Sequence, residues 1–189
     1  MRTPHVESLG ARFVPFAPGL EEVAAERRLL VTAWCLPADT AARRARQLLR
    51  AHLLGHVGDT AVLDDLELMA CELATNATIH GGPPREMRIW HYGDVPVMCE
   101  IADAAGRLEV VAGLLRRATG DVVDVDALAV GGRGLSIVAR LSGGRCGARP
   151  TRLCSTGQVG KGVWFGLPHQ PRGFSPVNCS VPDIPEGAP

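Results

Sequence analysis

The sequence lacks several features that would assign it at once to a common class of protein. Its 20 basic and 20 acidic residues cancel, so no overall charge draws it to nucleic acid or to an anionic membrane. Six scattered cysteines form no CxxC pair, which favours structural thiols in a reducing cytosol over a zinc cluster or a redox dithiol. No stretch approaches the roughly 20 apolar residues that span a bilayer, and the first residues lack the apolar region of a signal peptide. We expect a cytoplasmic protein.

Lysine is almost absent, because Lys161 is the only one and every other basic residue is an arginine. Arginine offers a fixed fork for carboxylates and phosphates. At 189 residues, the chain suits one folded domain with tails. We predict an N-terminal arm over residues 1–27, a domain over residues 28–167 and a disordered, Pro-rich tail over residues 168–189.

Hydrophobic periodicity predicts the elements of the central domain. Residues 104–131 show no sustained periodicity, and a loop of that length is usually functional, often a lid. The other predicted elements are a strand over 28–36, a helix capped by Asp39 or Thr40, a long helix from Asp59 or Thr60 to His80, a hairpin of strands 85–92 and 95–103, a helix over 134–141 and strands over 145–149 and 163–167.

The long helix carries Glu72 and Asn76 four residues apart, so both side chains point the same way. Asn76 and His80 lie on a face that should be buried, where an amide needs a partner. Asn76 can offer its carbonyl oxygen to Mg²⁺, which prefers oxygen ligands, and Glu72 can act as a general base toward a hydroxyl. A surface Glu and a satisfied core Asn are the alternative interpretation.

Two further features suit a nucleotide. Asp103 ends an apolar strand, where a carboxylate can accept a hydrogen bond from the exocyclic amine of adenine; an ordinary turn-starting Asp is the alternative. The segment Gly132-Arg133-Gly134-Leu135 leads into a helix, and glycines at a helix start let N–H groups approach a phosphate. Arg133 can add a clamp, and a plain flexible loop end is the alternative.

Two other phosphate-binding motifs fail on inspection. Gly132 and Gly134 begin GxGxxG, but Ile137 takes the final glycine position. Gly160-Lys161-Gly162 resembles the end of a Walker A loop, yet Ser155 stands where its first Gly belongs and Gly162 where its Ser or Thr belongs.

The strings ELATNATIHG and GGRGLSIV, in that order and with Asp103 between them, resemble the ATP-binding domain of the GHKL type. That domain is shared by histidine kinases, DNA gyrase, the MutL mismatch-repair protein and a heat-shock chaperone. The likeness covers roughly residues 28–167 and is closest to the stand-alone anti-sigma factor serine kinases.

The resemblance implies an α+β two-layer sandwich, the Bergerat fold, with a mixed, mainly antiparallel sheet and helices on one face. It also implies bound ATP and Mg²⁺. In the family's pattern, Glu72 matches the base, Asn76 the Mg²⁺ ligand and Asp103 the adenine contact. Gly132, Arg133, Gly134 and Leu135 match the phosphate-binding turn.

The sequence departs from the family's pattern at three places. Ala105 and Arg107 occupy the two glycine positions of the Asp-x-Gly-x-Gly loop. Gly162 stands where the family often has a Thr near the adenine, and we expect that contact to be lost. Residues 150–159 are longer and more polar than the usual connection before the last strand.

Three functions follow as hypotheses. The first is a regulator that transfers the γ-phosphoryl group of ATP to a Ser or Thr of an anti-anti-sigma (STAS-type) partner and holds a sigma factor. The second is a non-catalytic ATP-binding module that sequesters a sigma factor or another regulator. The third, a thiol or metal enzyme using Cys71, Cys99 or His80, is disfavoured because Glu72 beside Cys71 opposes thiolate formation. The sequence leaves open whether the chain forms a homodimer.

Overall fold

The computed structural model describes residues 29–119 and 133–169. Five strands in these residues form one antiparallel sheet in the order β1-β2-β3-β5-β4. The strands are β1 (Leu29–Cys35), β2 (Arg85–Tyr92), β3 (Val95–Asp103), β4 (Cys146–Arg152) and β5 (Val159–Gly166). Every neighbouring pair of strands is antiparallel. The resemblance implied a mixed sheet, and for the described residues that expectation is wrong.

Four helices lie in the same residues: α1 (Ala41–Leu53), α2 (Thr60–His80), α3 (Leu108–Thr119) and α4 (Arg133–Leu141). One hydrophobic core joins all four to a single set of strand residues, which includes Met87, Ile89, Ile101, Val163 and Phe165. Because side chains alternate along a strand, these residues lie on one face of the sheet. The chain therefore has an α+β fold, compatible with the predicted two-layer sandwich.

Local sequence signals account for the helix α2. The carboxylate of Asp59 accepts a hydrogen bond from the Ala61 N–H at 2.8 Å and caps α2. The helix then buries an apolar stripe that includes Leu66, Met69 and Leu73. Thr40 holds the corresponding position before α1, but its side chain makes no capping hydrogen bond. Among the described residues, no helix is both long and apolar enough to cross a membrane.

The prediction that residues 104–131 form a loop is wrong over α3. Leu108, Val111 and Leu115 recur at helical steps, and Leu115 is buried in the core. Gly113 suggested a break, but it lies inside the helix, where its neighbours leave room. The last strand also begins four residues before the predicted start at Val163, and β4 extends to Arg152. The predicted arm, residues 120–132 and most of the predicted tail lie outside the described residues.

The far face of the sheet buries a cluster of paired charges. Arg88 contacts Glu86 at 2.8 Å and Glu100 at 3.2 Å, and Arg149 contacts Glu100 at 2.7 Å. Trp90 donates to Glu100 from its indole nitrogen at 3.1 Å. Burial opposes ionisation of Glu100, but Arg149 and Arg88 outweigh it and lower the pKa of this carboxyl. Glu100 is therefore a charged, fully buried anchor at the centre of the sheet.

A histidine pair joins α1 to β2. His52 Nε2 lies 2.7 Å from His91 Nε2, and the His52 ring meets Trp34 edge-on. Burial, followed by the nearby His52 and His56, lowers the pKa of His91 to about 4. Burial and His56 also lower the pKa of His52. This contact requires at least one neutral ring, because two protonated rings at that distance would repel each other.

The pair predicts a loss of stability in acid. An unfolded His91 takes up a proton near its ordinary pKa of 6.5, whereas the folded one does so only near 4, so stability is lost as the pH falls between these values. We expect the free energy of unfolding to fall by about 1–2 kcal/mol, a range that allows for solvent screening of a partly exposed ring. Urea unfolding at pH 7 and pH 4.5 measures it. His91→Gln should reduce the difference, and the exposed control His80→Gln should keep it; an unchanged difference in His91→Gln would contradict this account.

Candidate functional site

A cavity of about 210 Å³ lies between the sheet and the helices α2, α3 and α4. Most of its lining is apolar, including Leu73, Ile101 and Val111. A few polar groups interrupt this lining: Asn76, His80, Asp103, Arg107 and Lys161. An apolar cleft with a few converging polar groups is the usual form of a small-molecule site.

The first turn of α4 lies against the polar pair on α2. A methyl group placed on Gly134 would overlap the Glu72 carboxylate and lie 3.3 Å from Asn76 Nδ2. Only a residue without a side chain allows this approach without displacing Glu72. Glu72, Asn76 and Gly134 are thus brought together in direct contact, and of these three only Asn76 lines the cavity. Leu135, next along α4, is buried and lines the cavity.

Asn76 carries an unsatisfied polar atom at this point. Its Nδ2 is buried and has no hydrogen-bond partner among the described residues. A buried donor left unpaired costs about 1–3 kcal/mol, so a ligand group that paired with it would be favoured. A half-turn of the amide exchanges nitrogen and oxygen, and Asn76 can therefore present either a donor or a metal-binding oxygen.

Asp103 is held rigidly at the other end of the cavity. Its Oδ1 accepts from Ala105 N at 2.9 Å, from Gly82 N at 3.4 Å and from Lys161 Nζ at 2.5 Å. Gly81, at the end of α2, permits this arrangement, because a methyl group there would lie 2.7 Å from Asp103 Cγ. The carboxylate is therefore oriented before any ligand arrives.

Lys161 is a site residue that the sequence interpretation missed. It stands directly opposite Asp103 in the pairing of β3 with β5, is 4% exposed and lines the cavity. The sequence interpretation considered it only as part of a failed Walker A loop. Strand alternation through Val163 and Phe165 could have placed it on the helix side of the sheet, and its status as the sole lysine marked it as unusual.

The interpretation of Gly162 as a missing contact in the site is wrong. A methyl group on Gly162 would overlap the Glu100 carboxylate, with Cδ 2.6 Å away. Position 162 therefore faces the charged cluster on the far side of the sheet, and Lys161 holds the position that faces the cavity. The glycine is required because Glu100 is fixed there by Arg88 and Arg149.

The remaining candidates lie at the edge of the site or beyond it. Arg133 is exposed and is not part of the cavity lining, while Gly132 lies outside the described residues. Ala105 supplies an N–H to Asp103, and Arg107 lines the cavity. Among residues 29–119 and 133–169, no three His, Cys, Asp or Glu side chains are grouped to hold a metal ion. Asn76 is the one metal ligand that the sequence nominated.

Comparison with known proteins adds no assignment, because neither the family models nor the curated proteins compared with this chain give a match. The described residues thus define an α+β domain in which helices pack on one face of an antiparallel sheet and enclose a cavity.

The packing around Gly162 predicts that one added methyl group at this position strongly destabilises the fold. We expect Gly162→Ala to lower the free energy of unfolding by about 2–3 kcal/mol, because the added methyl group meets a fully buried, ion-paired carboxylate that cannot move aside. Gly113→Ala is the matched control: its added methyl group lies no closer than 3.6 Å to any neighbour, and it should stabilise α3 by about 0.5–1 kcal/mol. Urea unfolding compares the two. A Gly162→Ala protein as stable as the wild type would refute the assigned direction of position 162.

Proposed function

We propose that the cavity binds a Mg²⁺-complexed adenine nucleotide in a Bergerat-type fold, and that the chain is an ATP-dependent regulator with protein serine/threonine kinase activity. The observation that carries this proposal is the convergence of Glu72, Asn76 and Gly134 beside the cavity, with Asn76 Nδ2 buried and unpaired. The helices on one face of an antiparallel sheet are compatible with that fold.

The base end of the nucleotide is assigned to Asp103. This carboxylate is 1% exposed, preoriented by three donors on Oδ1, and set among apolar residues that can enclose a ring. The cavity, at about 210 Å³, is smaller than the roughly 300–1,000 Å³ of a typical ligand site. It therefore suits the base, with the phosphates extending past it.

The phosphate end is assigned to the start of α4. The first N–H groups of a helix are unpaired and its dipole attracts anions, and the anionic group that approaches Gly134 closely is the Glu72 carboxylate. Asn76 lies beside this helix start and is the residue that would hold Mg²⁺ through its amide oxygen. Bound Mg²⁺ would supply charge neutralisation on the phosphates.

Glu72 is assigned the role of general base. Its carboxylate reaches the first turn of α4, next to the place proposed for the phosphates. There it accepts the proton of a Ser or Thr hydroxyl that attacks the γ-phosphorus, while the bond to the leaving ADP breaks. By the resemblance, the hydroxyl belongs to an anti-anti-sigma (STAS-type) protein and the regulated partner is a sigma factor. A phosphate on the anti-anti-sigma protein adds roughly two negative charges and weakens the docking of that protein to the kinase.

A second candidate is a non-catalytic module that binds ATP and sequesters a sigma factor or another regulator. Ala105 and Arg107 favour it, because they replace two glycines of the family's loop and Arg107 projects onto the cavity. A side chain at these positions restricts the closure that phosphoryl transfer requires.

Isothermal titration with Mg-ATP tests binding. We expect Asn76→Ala to weaken binding at least about tenfold, equivalent to about 1.4 kcal/mol, because the nominated Mg²⁺ ligand is lost. Asn76 Nδ2 has no hydrogen bond to lose. The Asn76→Ala substitution should therefore not lower the unfolding temperature of the ligand-free protein by breaking a hydrogen bond. Asp65→Asn, at an exposed position of the same helix, is the control and should bind as the wild type does. Absence of wild-type binding would overturn both candidates.

Incubation with γ-labelled ATP and candidate partners then separates the two functions. Glu72→Gln should retain nucleotide binding and abolish label transfer, whereas the exposed control Glu109→Gln should transfer as the wild type does. A wild-type protein that binds ATP but transfers no label supports the non-catalytic module.

A further inference from the structure

The wall of the cavity carries one charge that no neighbouring side chain neutralises. Apart from His80, the ionisable residues of the lining are Asp103, Arg107 and Lys161. Asp103 and Lys161 form an ion pair at 2.5 Å, so their charges cancel. Within residues 29–119 and 133–169, the guanidinium group of Arg107 makes no hydrogen bond or ion pair. The lining formed by these residues therefore carries a net positive charge, and Arg107 is its source.

Arg107 lies where the cavity opens to solvent. Arg107 and Val110 both line the cavity and both are exposed, whereas the lining residues Leu73 and Ile101 are buried. The cavity therefore opens along the start of α3. A ligand whose ring lies between the buried residues would bring the groups that project toward solvent close to Arg107.

The local structure of α3 gives no reason for an arginine at this position. The Arg107 carbonyl accepts a hydrogen bond from Val111 N at 3.3 Å, which makes Arg107 the N-cap residue of α3. This position favours Asp, Asn, Ser or Thr, whose side chains accept from the N–H groups of the first turn, and arginine has no acceptor. Its charge also opposes the positive end of the helix dipole. A side chain that local stability disfavours points to a role outside the helix.

We propose that Arg107 is a specificity-determining residue that binds a phosphate group of the nucleotide at the mouth of the cavity. The inference rests on the proposed nucleotide-binding function and applies to both candidate functions. A guanidinium group offers two parallel N–H donors to a phosphate. The adjoining apolar residues Val111 and Leu114 strengthen this attraction, because an apolar wall lowers the local dielectric constant. The GHKL pattern has a glycine at position 107, so the contact is a property of this chain.

Isothermal titration with adenosine, AMP and Mg-ATP tests the inference. Arg107→Ser should weaken the binding of AMP and of Mg-ATP at least about tenfold, because both lose a charged partner for a phosphate. Adenosine has no phosphate, and its affinities for the wild type and the variant should agree within about threefold. Arg116→Ser, at an exposed position of the same helix, is the matched control and should leave all three affinities unchanged.

The outcomes separate this inference from the function on which it rests. If Arg107→Ser binds AMP and Mg-ATP as the wild type does, or loses adenosine as strongly as it loses AMP, the inference is overturned and the proposed function stands. If the wild type binds no Mg-ATP, both are overturned.

Stability and binding should move in opposite directions at this position. Serine and aspartate can both cap α3, so the unfolding temperatures of ligand-free Arg107→Ser and Arg107→Asp should equal or exceed that of the wild type. Arg107→Asp also reverses the charge, and it should weaken AMP and Mg-ATP more than Arg107→Ser does. A lower unfolding temperature in both variants would assign Arg107 a structural role and overturn the inference. An equal or smaller loss of nucleotide binding in Arg107→Asp would contradict an electrostatic contact.

Discussion

One oxygen of the Asp103 carboxylate joins three segments of the chain that are distant in sequence. It accepts hydrogen bonds from Gly82 after α2, from Ala105 after β3 and from Lys161 on β5. Gly160 allows β5 to come this close, because a methyl group there would overlap the Asp103 carbonyl. Removing the carboxylate would leave Lys161 buried without a counter-ion, which is strongly destabilising. The shape of this end of the cavity depends on this one group.

The far face of the sheet determines which residues reach the cavity. Side chains alternate along a strand, and a shift of one residue exchanges the faces. Glu100 is fixed on the far face by Arg88, Arg149 and Trp90, so Asp103, three residues later, is directed to the helix side. Its partner Lys161 follows by the pairing of β3 with β5. The charge cluster on the far face thereby fixes which polar side chains of β3 and β5 face the cavity.

Local patterns predicted much of this fold, and long-range contacts account for what was missed. The cap at Asp59, the apolar stripe of α2 and the turn between β2 and β3 are encoded in neighbouring residues, and these elements were found. α3 was missed because Gly113 interrupts its apolar spacing, although it leaves room for the helix to continue. The roles of Lys161 and Gly162 depend on Asp103 and Glu100 across the sheet. No short window of sequence contains such a pair.

In the proposed function, one ligand spans from Asp103 to the first turn of α4. Amide chemical shifts of the ¹⁵N-labelled protein, followed during addition of Mg-ATP, measure this span. We expect the N–H signals of Gly82, Ala105 and Gly134 to move together with one dissociation constant, while the signal of the Trp90 indole N–H on the far face stays in place. Movement at only one end of the cavity, or at Trp90 instead, would contradict it.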